Sequence, residues 1–319
     1  MKNQRILVTG GAGFIGSHLV DALVKEGNQV IVIDNLISST TEYIQPYIDS
    51  NTIQFLEADI RDEQSVKSIE GSIDYIFHFA ADPDVRESVN TPITSFDHNV
   101  KGTMNLLELG RQKKIKGFIF ASSGGTLYGD VESFPIKETD LLKPISPYGA
   151  SKAAGEMYIS AYANSYQFKA VSLRLANIFG ERSNHGVTYE FFHRLTTNPT
   201  NLEILGDGQQ KKSYLHVSDC VKAAIVAADT IESQSKYYDY YNVGSEDWIT
   251  VDDLARALED IMGLKDVKHS FQGGKKGWVG DVHLLLLSIE KIKALGWNPI
   301  LSFTEGLKKY VDWMKLETH

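Results

Sequence analysis

With 319 residues, 42% hydrophobic and 23% charged, the chain is long enough for a large α/β domain plus a smaller one, and it falls in the ordered, globular class. A net charge of -9 without a long basic run argues against nucleic acid as the main partner, and no apolar run is long enough to span a bilayer. The single cysteine, Cys220, excludes an internal disulfide. It is expected as a small buried residue, which suits a reducing cytoplasm. "MKNQ" runs straight into a strand, so no secretory leader is expected.

"RILVTG" (5–10) reads as a short apolar strand ending in glycine, and "FIGSHLVDALVKEG" (14–27) as a helix stopped by Gly27. "QVIVIDN" (29–35), "IQFLEADI" (53–60), "YIFHFAA" (75–81), "GFIFASS" (117–123) and "AVSLRLANI" (170–178) are further strands, with helices between them that include 97–112 and 148–165. Continuous apolar strands alternating with helices imply a parallel sheet covered on both faces. Beyond about residue 180 the pattern loosens into loops, relieved by a capped amphipathic helix at "DWITVDDLARALEDIMG" (247–263) and a strand-length run, "HLLLLSI" (283–289). The expected fold is α/β: a Rossmann-type doubly wound parallel sheet over residues 1–178, to which about 215–245 return, and a smaller C-terminal α/β substrate domain over 179–319.

Gly10, Gly13 and Gly16 stand between the first strand and the first helix. Small residues there let the backbone approach a pyrophosphate, whose charge suits the helix N-terminus. Asp34 ends the second strand, where a carboxylate accepts from both ribose hydroxyls and repels a 2'-phosphate. The expected cofactor is therefore NAD and not NADP. In "ISPYGASKAAGEMY" (145–158), Tyr148 and Lys152 share one helix face, a turn apart. A free phenol titrates near ~10. A neighbouring ammonium, together with the positive nicotinamide, is expected to bring it down far enough to act as a general base. The nine histidines show no metal-ligand spacing, and no metal is assigned.

Taken together, "TGGAGFIGSHL", "DNLISS", "EADIRD", "HFAADPDVRES", "HNVKGTMNLLE", "SSGGTLYGD", "SPYGASKAAGE" and "LRLANIFGER", with "YLHVSD", "YNVGSE" and "GWVGDV" further on, resemble the extended short-chain dehydrogenase/reductase family over nearly the whole chain. The likeness is greatest to its nucleotide-sugar 4-epimerase branch. The resemblance implies cofactor contacts from Phe14 and Ile15 in the glycine turn and from Asn35, Leu36, Ser38 and Ser39 after Asp34. It implies that Asp59 and Ile60 flank the adenine, that Phe79, Ala80 and Ala81 line the cofactor, that Asn99 braces it, and that Ser122 and Ala176 also touch it.

The same resemblance implies a UDP-sugar held by Asn177, Val187, Lys212, Lys276 and Asp281. The usual catalytic Ser/Thr position is Gly124 in this chain, which leaves Ser123 and Thr126 as the candidate hydroxyls. Leu285 falls where relatives restricted to plain hexoses carry a tyrosine, so room for an N-acetyl group is expected if it faces the pocket; along an alternating strand it faces either pocket or core. A homodimer through the helices near 97–112 and 148–165 is also implied. A 4,6-dehydratase needs an Asp–Glu pair where this chain has Gly-Thr-Leu, and a decarboxylase of the family needs a glutamate there. A non-catalytic NAD-sensing protein is the rival from another class, and the intact Tyr148–Lys152 pair counts against it.

Overall fold

The computed structural model describes residues 1–274, 277–278 and 280–317. Strands β1 (Arg5–Thr9), β2 (Gln29–Asp34), β3 (Ile53–Glu57), β4 (Tyr75–His78), β5 (Gly117–Ser123) and β6 (Lys169–Leu175) join Tyr238–Val243 in one seven-stranded sheet. The order is Tyr238–Val243, β6, β5, β4, β1, β2, β3, and every pairing is parallel. The order reverses between β1 and β4, which opens a crevice at their carboxyl ends.

Alternation along the strands explains why both faces are dry. Ile6, Val8, Val30, Val32 and Phe77 pack on one side with the helices Phe14–Lys25 and Val217–Thr230. Leu7, Ile31, Ile33, Ile76, Phe118 and Phe120 pack on the other with Leu106, Leu107, Ile159 and Ala163. Each face thus meets its own helical layer, as a parallel sheet requires. Cys220 is free and fully buried in the first layer.

The Pro147–Tyr166 helix has proline in its first turn and Ser146 as N-cap, whose hydroxyl accepts from Gly149 N at 3.1 Å. It has few large apolar residues because it lies against backbone and rings. A Cβ on Gly149 would sit 2.3 Å from the Thr126 carbonyl oxygen, and one on Gly155 3.0 Å from the Phe120 ring. The later residues build a separate core from Phe191, Leu195, Leu254, Leu258, Leu307, Tyr310 and Met314. Helix Val251–Met262 within it carries a reciprocal Thr250–Asp253 capping box and ends at Gly263, φ +73°.

Five expected elements are redrawn; one is the strand expected over 53–60, which ends at Glu57, where its pairing with β2 ends at Asp34. The strand expected over 75–81 ends at His78, because Ala80 N is taken by the Thr9 side chain instead of a neighbouring strand. The strand expected over 170–178 splits: Ala176 N still reaches Val243 O, but Asn177–Phe179 turns to pair with Tyr214–His216. The helix expected from 97 starts as a π-turn, Phe96–Lys101, where the Thr103 hydroxyl donates into the Asn99 carbonyl at 2.6 Å. "HLLLLSI" forms only the two-residue strand Leu284–Leu285, since its partner Lys211–Lys212 is equally short.

Candidate active site

The glycine turn is dictated by close approach. Gly10 has φ +69°, and a Cβ on it would lie 2.7 Å from Ala80 N; one on Gly16 would lie 1.9 Å from Gly10 O. Gly13 caps the Phe14–Lys25 helix with no side-chain hydrogen bond, leaving the first-turn N–H groups to face an anion. Phe14 and Ile15 open this helix, with the Phe14 ring edge-on to His185.

Asp34 is buried and tied to the turn: Oδ2 accepts from Ala12 N at 3.0 Å, and Oδ1 from Leu36 N at 3.0 Å and Ser39 Oγ at 2.9 Å. Ser38 beside it is exposed. Asn35 Nδ2 donates to Asp59 at 2.9 Å, and a fork of hydrogen bonds from Arg61 holds the Asp59 carboxyl well below the usual carboxylate range. Ile60 is buried against Gly102. Phe79 N and Ala80 N bond the backbone oxygen and side chain of Thr9, so the 79–81 segment lies over the turn. Asn99 clamps the next peptide, its amide bonded to both Asp82 N and Asp82 O. A cradle of close backbone, outward N–H groups and a fixed carboxylate fits an adenine dinucleotide without a 2'-phosphate.

At the end of β5 the structure brings both candidate hydroxyls together. Thr126 Oγ1 donates to Ser123 Oγ at 2.7 Å, and the Ser123 hydroxyl acts on the Tyr148 phenol, opposing the rise of its pKa. Gly124 cannot be the usual hydroxyl residue here, because a Cβ on it would lie 2.5 Å from Leu287 Cδ1 and 3.1 Å from Leu175 O. The Ser122 hydroxyl is committed elsewhere, donating to Glu156 at 2.7 Å. Lys152 is buried, donates to Ala121 O at 2.9 Å, and lies 5.9 Å from the Tyr148 ring centre.

The electrostatics differ from the simple expectation for this pair. Burial pushes the Tyr148 phenol up, the Asp82 charge adds to the rise, and the Ser123 hydrogen bond opposes it. Burial brings the Lys152 ammonium down to about 7, with Asp82 opposing. In this geometry Lys152 therefore does not by itself depress the phenol. Asp82, absent from the sequence reading, acts on both groups.

On the far side of the crevice Lys212 Nζ meets Asp281 Oδ1 at 2.6 Å, so two expected substrate residues are paired with each other. Lys212 Nζ also lies 5.2 Å from the Trp278 ring centre, and Arg86 lies 5.5 Å from the same ring. Asn177 Nδ2 is buried and makes no hydrogen bond among the described residues. Val187 starts the Val187–Thr197 helix after Gly186, and Lys276 lies outside the described residues. Leu285 faces the core and not the pocket: it is buried in a small apolar cluster with Tyr128, Ile136, Ala176 and Leu287, at the back of Gly125, because its short strand leans on that cluster.

Sequence reasoning missed Asp82, Arg86, Trp278 and the buried Glu156–Arg174 pair. The last had a signal: Arg174 stands between Leu173 and Leu175 in an apolar strand, and Glu156 lies one turn beyond Lys152.

The sequence profile of the NAD dependent epimerase/dehydratase family matches residues 6–244. A putative UDP-glucose 4-epimerase of Methanocaldococcus jannaschii is 36% identical over 97% of this chain and 98% of its own. A crystal structure of a UDP-galactose 4-epimerase superposes with a TM-score of 0.88 at 40% identity, covering 99% of this chain and 100% of that one. The UDP-N-acetylglucosamine 4-epimerase of Methanobrevibacter ruminantium, in complex with UDP-N-acetylmuramic acid, superposes with a TM-score of 0.89 at 29% identity, covering 99% and 100%. With its glycine turn, Asp34 and Tyr148–Lys152 pair in one crevice, the chain belongs to the NAD-dependent epimerase/dehydratase family.

Proposed function

We propose that this protein inverts C4 of UDP-hexoses, taking UDP-glucose and UDP-galactose and also their N-acetylated counterparts. The observation that carries the reading is the hydrogen-bonded Thr126–Ser123 hydroxyl pair at the end of β5, acting on the phenol of Tyr148, with Lys152 beside that ring. Bound NAD supplies the acceptor and donor of the hydride. Tyr148 takes the proton of the C4 hydroxyl at its phenolic oxygen and later gives it back, so no net oxidation occurs. Ser123, backed by Thr126, orients the C4 oxygen, and Lys152 lies on the same helix face, 5.9 Å from the Tyr148 ring centre. Gly125, Thr126 and Leu127 offer no acid–base pair for C5 and C6, which disfavours the dehydratase reading.

The unpartnered Asn177 amide and the Lys212–Asp281 pair suit the diphosphate end of such a substrate. The N-acetyl part of the reading draws on a fold neighbour that bears the name of a UDP-N-acetylglucosamine 4-epimerase. The reading divides the chain into a cofactor domain, 1–178 with 215–245, and a substrate domain over the remainder of 179–319. It also pairs two copies through the outward faces that expose Ile93, Phe96, Met157 and Tyr158.

The test is incubation with UDP-glucose, UDP-galactose and both N-acetyl forms, without added reductant, with products identified by NMR. Interconversion within each pair is expected. Tyr148→Phe should retain NAD but lose on the order of 10²–10⁴-fold in kcat, as removal of a general base does. Absence of turnover on all four sugars, or near-normal turnover by Tyr148→Phe, would overturn the assignment.

A further inference from the structure

A single series of buried hydrogen bonds runs from the cofactor turn to the catalytic helix. Thr9 Oγ1 lies 2.8 Å from His78 Nδ1, and His78 Nε2 lies 2.8 Å from Thr103 Oγ1. Thr103 donates to Asn99 O at 2.6 Å, Asn99 Nδ2 donates to Ser151 Oγ at 2.9 Å, and Ser151 donates to Tyr148 O at 2.7 Å. Thr9, His78, Asn99 and Thr103 are at most 1% exposed, and Ser151 is 5% exposed.

The donors assign the imidazole's proton. Thr103 spends its one hydroxyl proton on Asn99, so it must accept from His78 Nε2–H. Burial and the neighbouring Lys152 charge hold His78 well below its ordinary pKa, so the ring is neutral. Nδ1 is then an acceptor and takes the Thr9 proton, while the Thr9 oxygen takes Ala80 N–H at 3.2 Å. Every member has one role, and the ring is wedged by Phe118 and Phe120, centroids 6.0 and 5.4 Å away.

We propose that His78 is a positioning residue for hydride transfer: through Thr103 and Asn99 it sets the distance between the cofactor turn at Gly10–Ala80 and the Tyr148–Lys152 face. His78 touches neither partner of the reaction in this account. Its ring joins β1 and β4 to the first turn of the helix Gly102–Lys113, and the Asn99 amide at the end of the series fixes both the Asp82 peptide and the catalytic helix. The inference rests on the epimerase reading above.

The test uses the NAD-loaded full chain. His78→Phe should lower kcat on the order of 10²-fold, the scale of a misplacement of about 1 Å. NAD content and the KM for the UDP-sugar should stay within a factor of about three, because only the reacting geometry is disturbed. Thr103→Val should move the same way, Thr103→Ser should recover most of the rate, and the double variant His78→Phe/Thr103→Val should be no worse than His78→Phe alone. Heteronuclear NMR of the imidazole nitrogens should show neutral Nε2–H for His78, a readout independent of turnover. Losses that multiply in the double variant, a fall in NAD content or a rise in KM with kcat intact, or an Nδ1–H tautomer would each overturn the proposal. Should His78→Phe fail to fold, the Thr103 variants and the tautomer decide it. A wild-type protein inactive on every UDP-sugar defeats the epimerase reading instead, with the tautomer still readable.

Discussion

The floor beneath the catalytic helix and the mouth of the crevice use the same ingredients, a cation, a carboxylate and aromatic rings, to different ends. In the floor Arg174 is 3% exposed and Glu156 fully buried. The guanidinium grips both carboxylate oxygens, with Nη2 at 2.7 Å and Nε at 3.0 Å, and its Nη1 donates to the Tyr128 hydroxyl at 2.7 Å. Tyr128 then donates to Asn242, and Glu156 also accepts from Ser122. At the mouth Arg86 is exposed, and Trp278 lies between it and the Lys212–Asp281 pair. Buried charges with every donor matched act as a geometric constraint, since losing one partner strands the other away from water. At the mouth the carboxylate is as dry, Asp281 being 4% exposed, but the exposed Arg86 stands across the Trp278 ring from Lys212, so water or a substrate phosphate can replace a contact on that outer side.

The sharpest way to break this contrast is Glu156→Ala. It leaves the Arg174 guanidinium buried without its counter-charge, which is expected to cost about 3–5 kcal/mol. Replacing both by apolar residues of similar volume should cost less than that single change. Urea unfolding midpoints at constant slope would show it, and a Glu156→Ala protein within about 1 kcal/mol of wild type would remove the distinction between floor and mouth.

Lys152 gives the next effect, and it carries a pH signature. Its folded value is about 7 against 10.5 unfolded. Between those values the unfolded chain binds more protons than the folded one, so wild-type stability rises with pH through that window; below pH 7 the full penalty of a buried ammonium is present. Lys152→Met removes the penalty together with the bond to Ala121 O and the contact 4.9 Å over Phe120. The net expectation for protein stripped of nucleotide is that the variant is more stable by about 1–3 kcal/mol near pH 6, with the advantage fading as pH approaches 10.5. A difference independent of pH would mean that the ammonium is not desolvated in this way.

The smallest effect belongs to the mouth. Trp278→Phe keeps an aromatic face between Arg86 and Lys212 but weakens it as a cation platform, a change of about 0.5–2 kcal/mol at this half-buried site. Stability should be unchanged and KM for the UDP-sugar should rise a few-fold with kcat preserved. A stability loss comparable to that of Glu156→Ala would show that the mouth is built like the floor.

What the sequence determined by itself lies close together along the chain. The glycine turn, Asp34 and the Tyr148–Lys152 pair were legible because each depends on local spacing: a strand followed at once by a helix, an acid at the next strand's end, two side chains one turn apart. The alternation of apolar strands and helices likewise announced the parallel sheet, because both of its faces have to be dry. Tertiary structure decided the rest. Ser123 and Thr126 meet in a hydroxyl–hydroxyl hydrogen bond, and Leu287, 163 residues after Gly124 in the chain, crowds the space in which a side chain at 124 would stand. "HLLLLSI" lost most of its strand because a ladder needs an equally long partner, and Lys211–Lys212 is two residues. His78 meets Thr9 and Thr103, and Glu156 meets Arg174, across separations that local pattern does not encode. Lys152 is the clearest case: its place beside Tyr148 follows from helical spacing, whereas its charge near neutral pH was settled by how deeply the fold buries it, since desolvation depends on every element packed around the site.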